Sequence, residues 1–152
     1  MTLVAIRCRI LPPDIDGLGR DARRQGYGSI DRLISEWQDG SNRFAGSGEC
    51  LFAVHSDRQL VGIGGMTREP SDASMMRMRR FYVDAAMRGR GVGRLLAETL
   101  LDAVPEGTAG VTVNAGTADA AAFWLRMGFT PEVADGYTHA RLFALSRDQR
   151  DV

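Results

Sequence analysis

The chain has 152 residues, of which 44% are apolar and 25% charged. These values are typical of a globular protein, and the length suits one domain. Its 19 basic and 19 acidic residues cancel, which argues against a general nucleic-acid or membrane-surface binder, because such proteins carry a basic excess.

The first half of the chain predicts a strand, two helices and a hairpin. Residues 3–10 alternate in polarity, which predicts a strand, and Pro12-Pro13 prevents the strand from continuing. Helical spacing of apolar residues then runs from Asp14 to about Gln38, with a break near Gly26–Gly28. A polar, glycine-rich loop over 39–48 precedes two predicted strands, 50–54 and 59–66, joined by the turn Ser56-Asp57-Arg58.

The second half alternates strands with helices. Strands are predicted at 75–83 and 110–116 and, after a second helix, at 129–133 and 137–145. The first helix begins between Gly91 and Gly93, and the second begins after the N-cap Thr117 and ends at Gly128. This alternation predicts a mixed α/β sheet.

The strand over 75–83 contains an irregularity. Met76 and Met78 keep a period of two, but the next apolar positions are Phe81 and Val83. The apolar face therefore slips by one residue across Arg79-Arg80. Either the strand has a β-bulge there or its pattern is simply irregular.

Several kinds of chemistry are excluded by residue usage. The chain has no lysine, so it forms no Schiff base and has no Walker-type phosphate site. Two cysteines and two histidines leave little for a disulfide scaffold or a metal site, and no metal is predicted. Arg7 interrupts the first apolar stretch, and no apolar window is long enough to span a membrane. A cytoplasmic protein is the default expectation.

The segment Arg88-Gly89-Arg90-Gly91-Val92-Gly93-Arg94 carries the clearest functional signal. It lies between a predicted strand and a predicted helix, so its glycines let backbone N–H groups approach a ligand at the positive end of the helix dipole. The interleaved arginines suit phosphate oxygens. Residues 77–94 contain six Arg and one Asp, a net charge of +5 that the rest of the chain offsets. The sequence therefore predicts one concentrated site for a pyrophosphate-type anion, although neither the dinucleotide nor the P-loop spacing of glycines is present.

The run FYVDAAMRGRGVGRLL resembles the acetyl-CoA signature of the GNAT superfamily of N-acetyltransferases, with Arg88, Gly91 and Gly93 at its fixed positions. A second stretch, VTVNAGTADAAAFWLRMGF, resembles a later strand and helix of the same superfamily. The resemblance covers about residues 75–130. It implies a single domain over 1–152, with a mostly antiparallel mixed sheet of six to seven strands, a bulged and splayed central strand, and about four helices.

The resemblance also implies acetyl-CoA as cosubstrate and an amine of a small molecule or peptide as acceptor. Main-chain groups at Phe81, Tyr82 and Val83 would pair with the pantetheine arm. The segment from Arg88 through Arg94 would hold the pyrophosphate, with Asn114 and Phe123 also at the cofactor. Nucleic-acid and membrane partners are not expected, and homodimer formation is left open.

Three residues are candidates for proton transfer. Tyr82 is an acid or a packed aromatic with a hydrogen-bonded hydroxyl, Glu69 a base or a solvated surface carboxylate, and His139 a proton carrier or a structural histidine. The helix position that is often Tyr in the superfamily is Trp124, and indole does not titrate in water. A domain that binds acyl-CoA without turnover is therefore the alternative to an enzyme, and an arginine-rich nucleic-acid binder is a third hypothesis.

Overall fold

A computed structural model of the protein describes residues 1–144. It contains seven strands, four α-helices and one 3-10 helix, Ala85–Met87. The elements in chain order are β1 (Leu3–Arg7), α1 (Ile15–Arg24), α2 (Ser29–Asp39), β2 (Cys50–Ser56), β3 (Gln59–Arg68), β4 (Met75–Val83), α3 (Val92–Asp102), β5 (Gly110–Val113), α4 (Ala118–Arg126), β6 (Thr130–Ala134) and β7 (Tyr137–Leu142).

The strands form one sheet in the order β1-β2-β3-β4-β5-β7-β6. The pair β4–β5 is parallel, whereas β1–β2, β2–β3, β5–β7 and β6–β7 are antiparallel. The predicted fold class, a mostly antiparallel mixed sheet of six to seven strands with about four helices, is confirmed. Three strands are shorter than predicted: β1 ends at Arg7 instead of residue 10, β5 at Val113 instead of residue 116, and β7 at Leu142 instead of residue 145. Leu145, the last residue of the final predicted strand, lies outside the described residues.

The chain divides into two compact units. The first comprises residues 1–67 and 79–103, and within the described residues the second comprises 68–78 and 104–144. Strand β4 belongs to both, since its residues up to Met78 lie in the second unit and those from Arg79 in the first. The glycine-rich turn of residues 88–94 therefore lies in the first unit, and Asn114, Phe123 and His139 lie in the second.

The core of the first unit forms where α1 and α2 pack on the sheet. Both helices have one apolar face, and their break falls at Gly26, whose φ of 84° only glycine adopts without cost. The buried core residues are Ile15, Leu18, Ala22, Ile30, Leu33, Phe44, Leu51, Ala53, Leu60, Ile63 and Tyr82. The functional consequence is that Tyr82, in β4, is anchored in the same core as α1.

Two glycines of β3 let α3 approach the sheet. A Cβ at Gly62 would lie 3.0 Å from Cγ1 of Val92, and a Cβ at Gly64 would lie 2.9 Å from the Phe81 ring. Both contacts are shorter than ordinary van der Waals distance. The start of α3 and the residue after the irregularity of β4 are thereby held against β3.

In the second unit, β5 pairs with β7 and β7 pairs with β6. Helix α4 begins, as predicted, after the N-cap Thr117, whose hydroxyl accepts a hydrogen bond from the N–H of Ala120. It packs through Trp124, which is 3% exposed and makes edge-on ring contacts with Phe123 and Phe129. Trp124 therefore fills the core of this unit.

Candidate functional site

The turn between β4 and α3 is built to expose backbone N–H groups. Asp84 caps the 3-10 helix by accepting a hydrogen bond from the N–H of Ala86 at 2.9 Å. Gly89 and Gly91 have φ values of 75° and 87°, and nothing lies within 4 Å of where their Cβ atoms would be. The glycines are needed for their backbone conformation, not because neighbouring atoms crowd them.

The N-terminus of α3 has no side-chain cap. Its N-cap is Gly91, so the first N–H groups of an 11-residue helix are left without the usual side-chain acceptor. Arg88 and Arg90 are exposed beside it, and the Nε of Arg88 donates to the carbonyl of Val83 at 3.3 Å. Uncapped N–H groups, the helix dipole and two exposed guanidinium groups together make this turn a candidate anion site.

The basic charge of residues 77–94 is more dispersed than the sequence predicts. Arg77 pairs with Glu69, Arg80 with Glu36 and Arg94 with Glu98, at 2.6, 2.8 and 3.0 Å. Arg77 also belongs to the second unit. The prediction of one concentrated +5 site is therefore wrong, because acidic partners outside this segment neutralise part of it.

Tyr82 is buried, and a carboxylate accepts a hydrogen bond from its hydroxyl. It is 5% exposed, and its hydroxyl donates to Oδ2 of Asp21 at 2.6 Å. Burial and the Asp21 carboxylate both raise the pKa of Tyr82 far above its usual value. Burial alone would raise the pKa of Asp21, but hydrogen bonds from Tyr82, the N–H of Ala85 and Arg24 outweigh it and lower the pKa. Of the two roles considered for Tyr82, this geometry favours the packed aromatic with a hydrogen-bonded hydroxyl.

The irregularity of β4 falls on Arg80. This residue has a φ of 55° in the middle of a strand, a left-handed conformation that costs a non-glycine residue about 1–3 kcal/mol. The described β4–β5 ladder ends just before it, with the pair Arg77↔Thr112. A bulged β4 is thus confirmed at the position where the polarity pattern slips.

Glu69 is a buried carboxylate of the second unit with donors to both of its oxygens. It is 1% exposed, so the alternative that it is a solvated surface carboxylate is wrong. Oε1 accepts from Nε of Arg77 at 2.7 Å and from the Thr112 hydroxyl at 3.1 Å, and Oε2 accepts from the N–H and hydroxyl of Ser71 at 2.8 and 3.0 Å. Burial would raise the pKa of Glu69, but these bonds together lower it. A carboxylate with a lowered pKa is a weak base.

His139 lies in β7, opposite Val113 of β5 and Pro131 of β6. It is 8% exposed, and its Nδ1 is 2.8 Å from the Thr138 hydroxyl. Its Nε2 makes no hydrogen bond within residues 1–144. One ring nitrogen is thus held in place by the neighbouring hydroxyl.

The remaining predicted cofactor residues lie in the second unit. Asn114 is exposed and directly follows β5, and Phe123 is half-buried on α4. Three apolar side chains of the first unit belong to its core: Phe44 and Met66 are buried, and Trp37 packs against the core.

Two acidic residues of the site were not found from the sequence. Asp21 and Glu36 lie on α1 and α2 and bind β4 residues that are 61 and 44 positions away. Asp21 carried one local signal, since it sits between Leu18 and Ala22 on the apolar face of α1. A carboxylate on such a face needs a polar partner.

Comparison with protein families matches residues 20–140 to the model of the acetyltransferase (GNAT) domain. The chain belongs to the GNAT family. The match includes parts of both units and the whole turn of residues 88–94, and it confirms the resemblance seen in the sequence. Comparison with curated protein sequences gives no significant match.

Solved structures of acetyltransferases share the fold. A provisionally assigned acetyltransferase from Exiguobacterium sp. 255-15 has a TM-score of 0.83 at 22% identity, over 92% of this chain and 93% of that one. The ribosomal-protein-S18-alanine N-acetyltransferase of Escherichia coli has a TM-score of 0.65 at 16% identity, over 94% and 96%. The PaiA N-acetyltransferase of Thermoplasma acidophilum, solved with coenzyme A, has a TM-score of 0.63 at 16% identity, over 94% and 100%. At these identities the likeness shows the fold alone.

Within residues 1–144, none of the helices combines the length and the apolar character needed to cross a membrane.

Proposed function

We propose that this protein transfers an acetyl group from acetyl-CoA to an amine of a small molecule or peptide. The observation that carries the proposal is the anion site at α3: an uncapped helix N-terminus, two glycines at positive φ, and Arg88 and Arg90 exposed beside them. A pyrophosphate matches this site in charge and in its need for several N–H donors. Family membership supports an acyl-CoA as the ligand.

In this proposal the cofactor contacts fall in three groups. The peptide groups from Gly89 to Arg94, with Arg88 and Arg90, hold the pyrophosphate. Main-chain groups at Phe81–Val83 hydrogen-bond the pantetheine arm. Asn114 and Phe123 are proposed as further cofactor contacts.

The proposed reaction is direct transfer without a covalent enzyme intermediate. The acceptor amine gives up a proton, its nitrogen forms a bond to the thioester carbon, and the C–S bond breaks. The products are the amide and CoA, whose thiolate takes up a proton. The chain's part is to hold both reactants together, to place a backbone N–H of β4 at the developing oxyanion, and to move the protons.

Of the three candidates for proton transfer, His139 is the one we propose to test first. The oxygens of Glu69 accept four hydrogen bonds, and the hydroxyl of Tyr82 donates to Asp21. His139 keeps Nε2 without a partner within residues 1–144 while Thr138 contacts its Nδ1. If His139 moves a proton, His139→Gln slows turnover about 100-fold or more, the usual contribution of general acid–base catalysis.

Calorimetric titration with acetyl-CoA tests the cofactor. We expect saturable binding to the full chain, and a loss of affinity of at least about tenfold in Arg88→Ala/Arg90→Ala, because each charge-assisted bond contributes about 1.5–3 kcal/mol. The control variant is Arg32→Ala, which removes an arginine of α2 that lies outside the anion site. The cofactor assignment is wrong if the wild-type chain binds neither acetyl-CoA nor desulfo-CoA.

Thiol release from acetyl-CoA in the presence of an amine panel then separates an enzyme from a domain that only binds acyl-CoA. The main support for the second hypothesis was Trp124 in place of a tyrosine. Because Trp124 fills the core between Phe123 and Phe129, its presence does not favour loss of turnover. Saturable binding without thiol release for any amine would nevertheless reject the enzyme.

A further inference from the structure

The backbone of β4 at residues 80–82 is fixed by side chains that anchor in different elements. Arg80 reaches α2, Phe81 packs over Gly64 of β3, and Tyr82 reaches Asp21 of α1. Three consecutive residues of one strand are thus held by three separate parts of the first unit.

Arg80 is the residue of this group whose backbone needs support. Its φ of 55° is unfavourable for a residue with a side chain, so contacts elsewhere must hold it in that conformation. The contact observed is with Glu36, whose Oε1 accepts from Nε of Arg80 at 3.1 Å and from Nη2 at 2.8 Å. The side chains of Arg80 and Glu36 are only 12% and 24% exposed, so solvent screens the pair weakly.

The backbone of Glu36 is itself held in place by packing of its helix. It lies on α2, whose Ile30 and Leu33 are fully buried, and its carbonyl accepts a hydrogen bond from the N–H of Asn42. Movement of the carboxylate would therefore require movement of a helix that is packed into the core. The pair fixes the position of Arg80 relative to that core.

We propose that Glu36 is a positioning residue for acyl transfer, acting through Arg80 on the β4 backbone. This inference rests on the proposed function, in which a backbone N–H of bulged β4 stabilises the oxyanion. By holding Arg80 at positive φ, Glu36 keeps the peptide groups at Arg80 and Phe81 in one orientation before the reactants arrive. Such preorganisation affects the rate of transfer more than the binding of CoA.

The test is a double-mutant cycle with Glu36→Gln and Arg80→Gly in the full chain. Glutamine keeps the size of the side chain but loses its charge, and glycine adopts positive φ without a side chain. The readouts are kcat and KM for acetyl-CoA, from thiol release with the best amine of the panel, or with water as acceptor if no amine reacts. We expect Glu36→Gln to lower kcat at least tenfold and to change KM less than threefold.

Two further variants separate the backbone effect from loss of a contact. Arg80→Ala, which lacks the ion pair but keeps the unfavourable φ, is expected to be slower than Arg80→Gly. In the Arg80→Gly background, adding Glu36→Gln is expected to change kcat less than twofold, because Glu36 acts only through Arg80. The control is Asp31→Asn, which removes an α2 carboxylate paired with Arg23 at the surface and should keep the wild-type kcat.

The inference is overturned if Glu36→Gln turns over as fast as wild type, or if Glu36→Gln slows turnover by the same factor in the wild-type and Arg80→Gly backgrounds. A parallel loss of CoA affinity and melting temperature in Glu36→Gln would also overturn it, since it would show general damage to the fold. If wild-type protein binds no CoA or releases no thiol, the proposed function fails as well, and the wild-type measurements alone reveal that.

Discussion

At the scale of the residue, carboxylates of this protein hold the backbone in place from buried positions. Asp21 accepts hydrogen bonds from the Tyr82 hydroxyl and from the N–H of Ala85, and so connects α1 to the end of β4 and to the turn that follows. The guanidinium of Arg88 in turn lies over the Tyr82 ring, 5.5 Å from its centre. Removal of the Asp21 carboxylate would leave the buried Tyr82 hydroxyl without its acceptor, which is the costly case.

Tyr82→Phe tests whether this residue is structural or an acid. The variant leaves Oδ2 of Asp21 without its closest donor, so we expect the free energy of unfolding to fall by about 1–3 kcal/mol, measured by urea denaturation. Turnover should fall less than about tenfold, because the ring and the backbone remain. Tyr27→Phe is the control, since Tyr27 is 37% exposed and its ring lies 6.0 Å from that of Tyr82. If turnover instead fell by about 100-fold or more at unchanged stability, the acid role would belong to Tyr82.

At the scale of the element, Glu69 ties the loop after β3 to β4 and β5. Ser71 lies in that loop, Arg77 in β4 and Thr112 in β5, and all three donate to its carboxylate. The turn between β6 and β7 adds to this arrangement, because a Cβ at Gly136 would lie 2.6 Å from the Arg77 guanidinium. One buried carboxylate therefore organises the second unit around the start of β4.

Glu69→Gln should destabilise the protein by about 3 kcal/mol at pH 7, because it leaves Arg77 without its charged partner while the Arg77 side chain is only 13% exposed. The folded-state pKa of Glu69 lies below its usual value of 4.5. Its stabilising effect is therefore complete above that value and is lost as the pH falls through the lowered folded-state pKa. Urea denaturation from pH 7 to pH 3 should show a difference between wild type and variant that shrinks toward the acid end.

The exposed Glu132→Gln is the matched control for that series and should follow the wild-type curve. A difference between Glu69→Gln and wild type that stays constant to pH 3 would contradict the role of the ionised carboxylate.

The sequence predicted those features of the site that depend on neighbouring residues. The turn of residues 88–94, the start of α3 and the slip at Arg79-Arg80 follow from glycine spacing and periodicity, which act over a few positions. The Arg80–Glu36 and Tyr82–Asp21 contacts span 44 and 61 positions, and no local pattern specifies which carboxylate meets which donor. For the same reason the burial of Glu69 could not be predicted, since its loop sequence is polar and only the folded chain brings Arg77 and Thr112 to it.

At the scale of the whole molecule, the balance of 19 basic and 19 acidic residues leaves little net charge near neutral pH. Repulsion between molecules is weakest at the isoelectric point, near pH 6.7. At this pH, electrostatic repulsion opposes the association of exposed apolar residues least. These residues include Ile10 and Val133, at 75% and 84% exposure.

Light scattering should accordingly show the strongest attraction between molecules near pH 6.7 and a weaker one at pH 8.5. Arg32→Glu, which makes the net charge more negative by two, should move the pH of strongest attraction downward. Equally strong attraction at pH 8.5 and pH 6.7 in the wild-type protein would show that net charge does not control its self-association.

The path of the chain between the two units has a consequence for dissection of the protein. The backbone passes from one unit to the other after Thr67, after Met78 and after Ala103, so each unit is assembled from two separate stretches. A protease that cuts once, for example in the loop of residues 39–48, cannot release either unit intact. Truncation after Ala103 does not leave an intact unit either, because residues 75–77 of β4 lose the β5 residues with which they pair. Neither unit can be isolated by shortening the chain from one end.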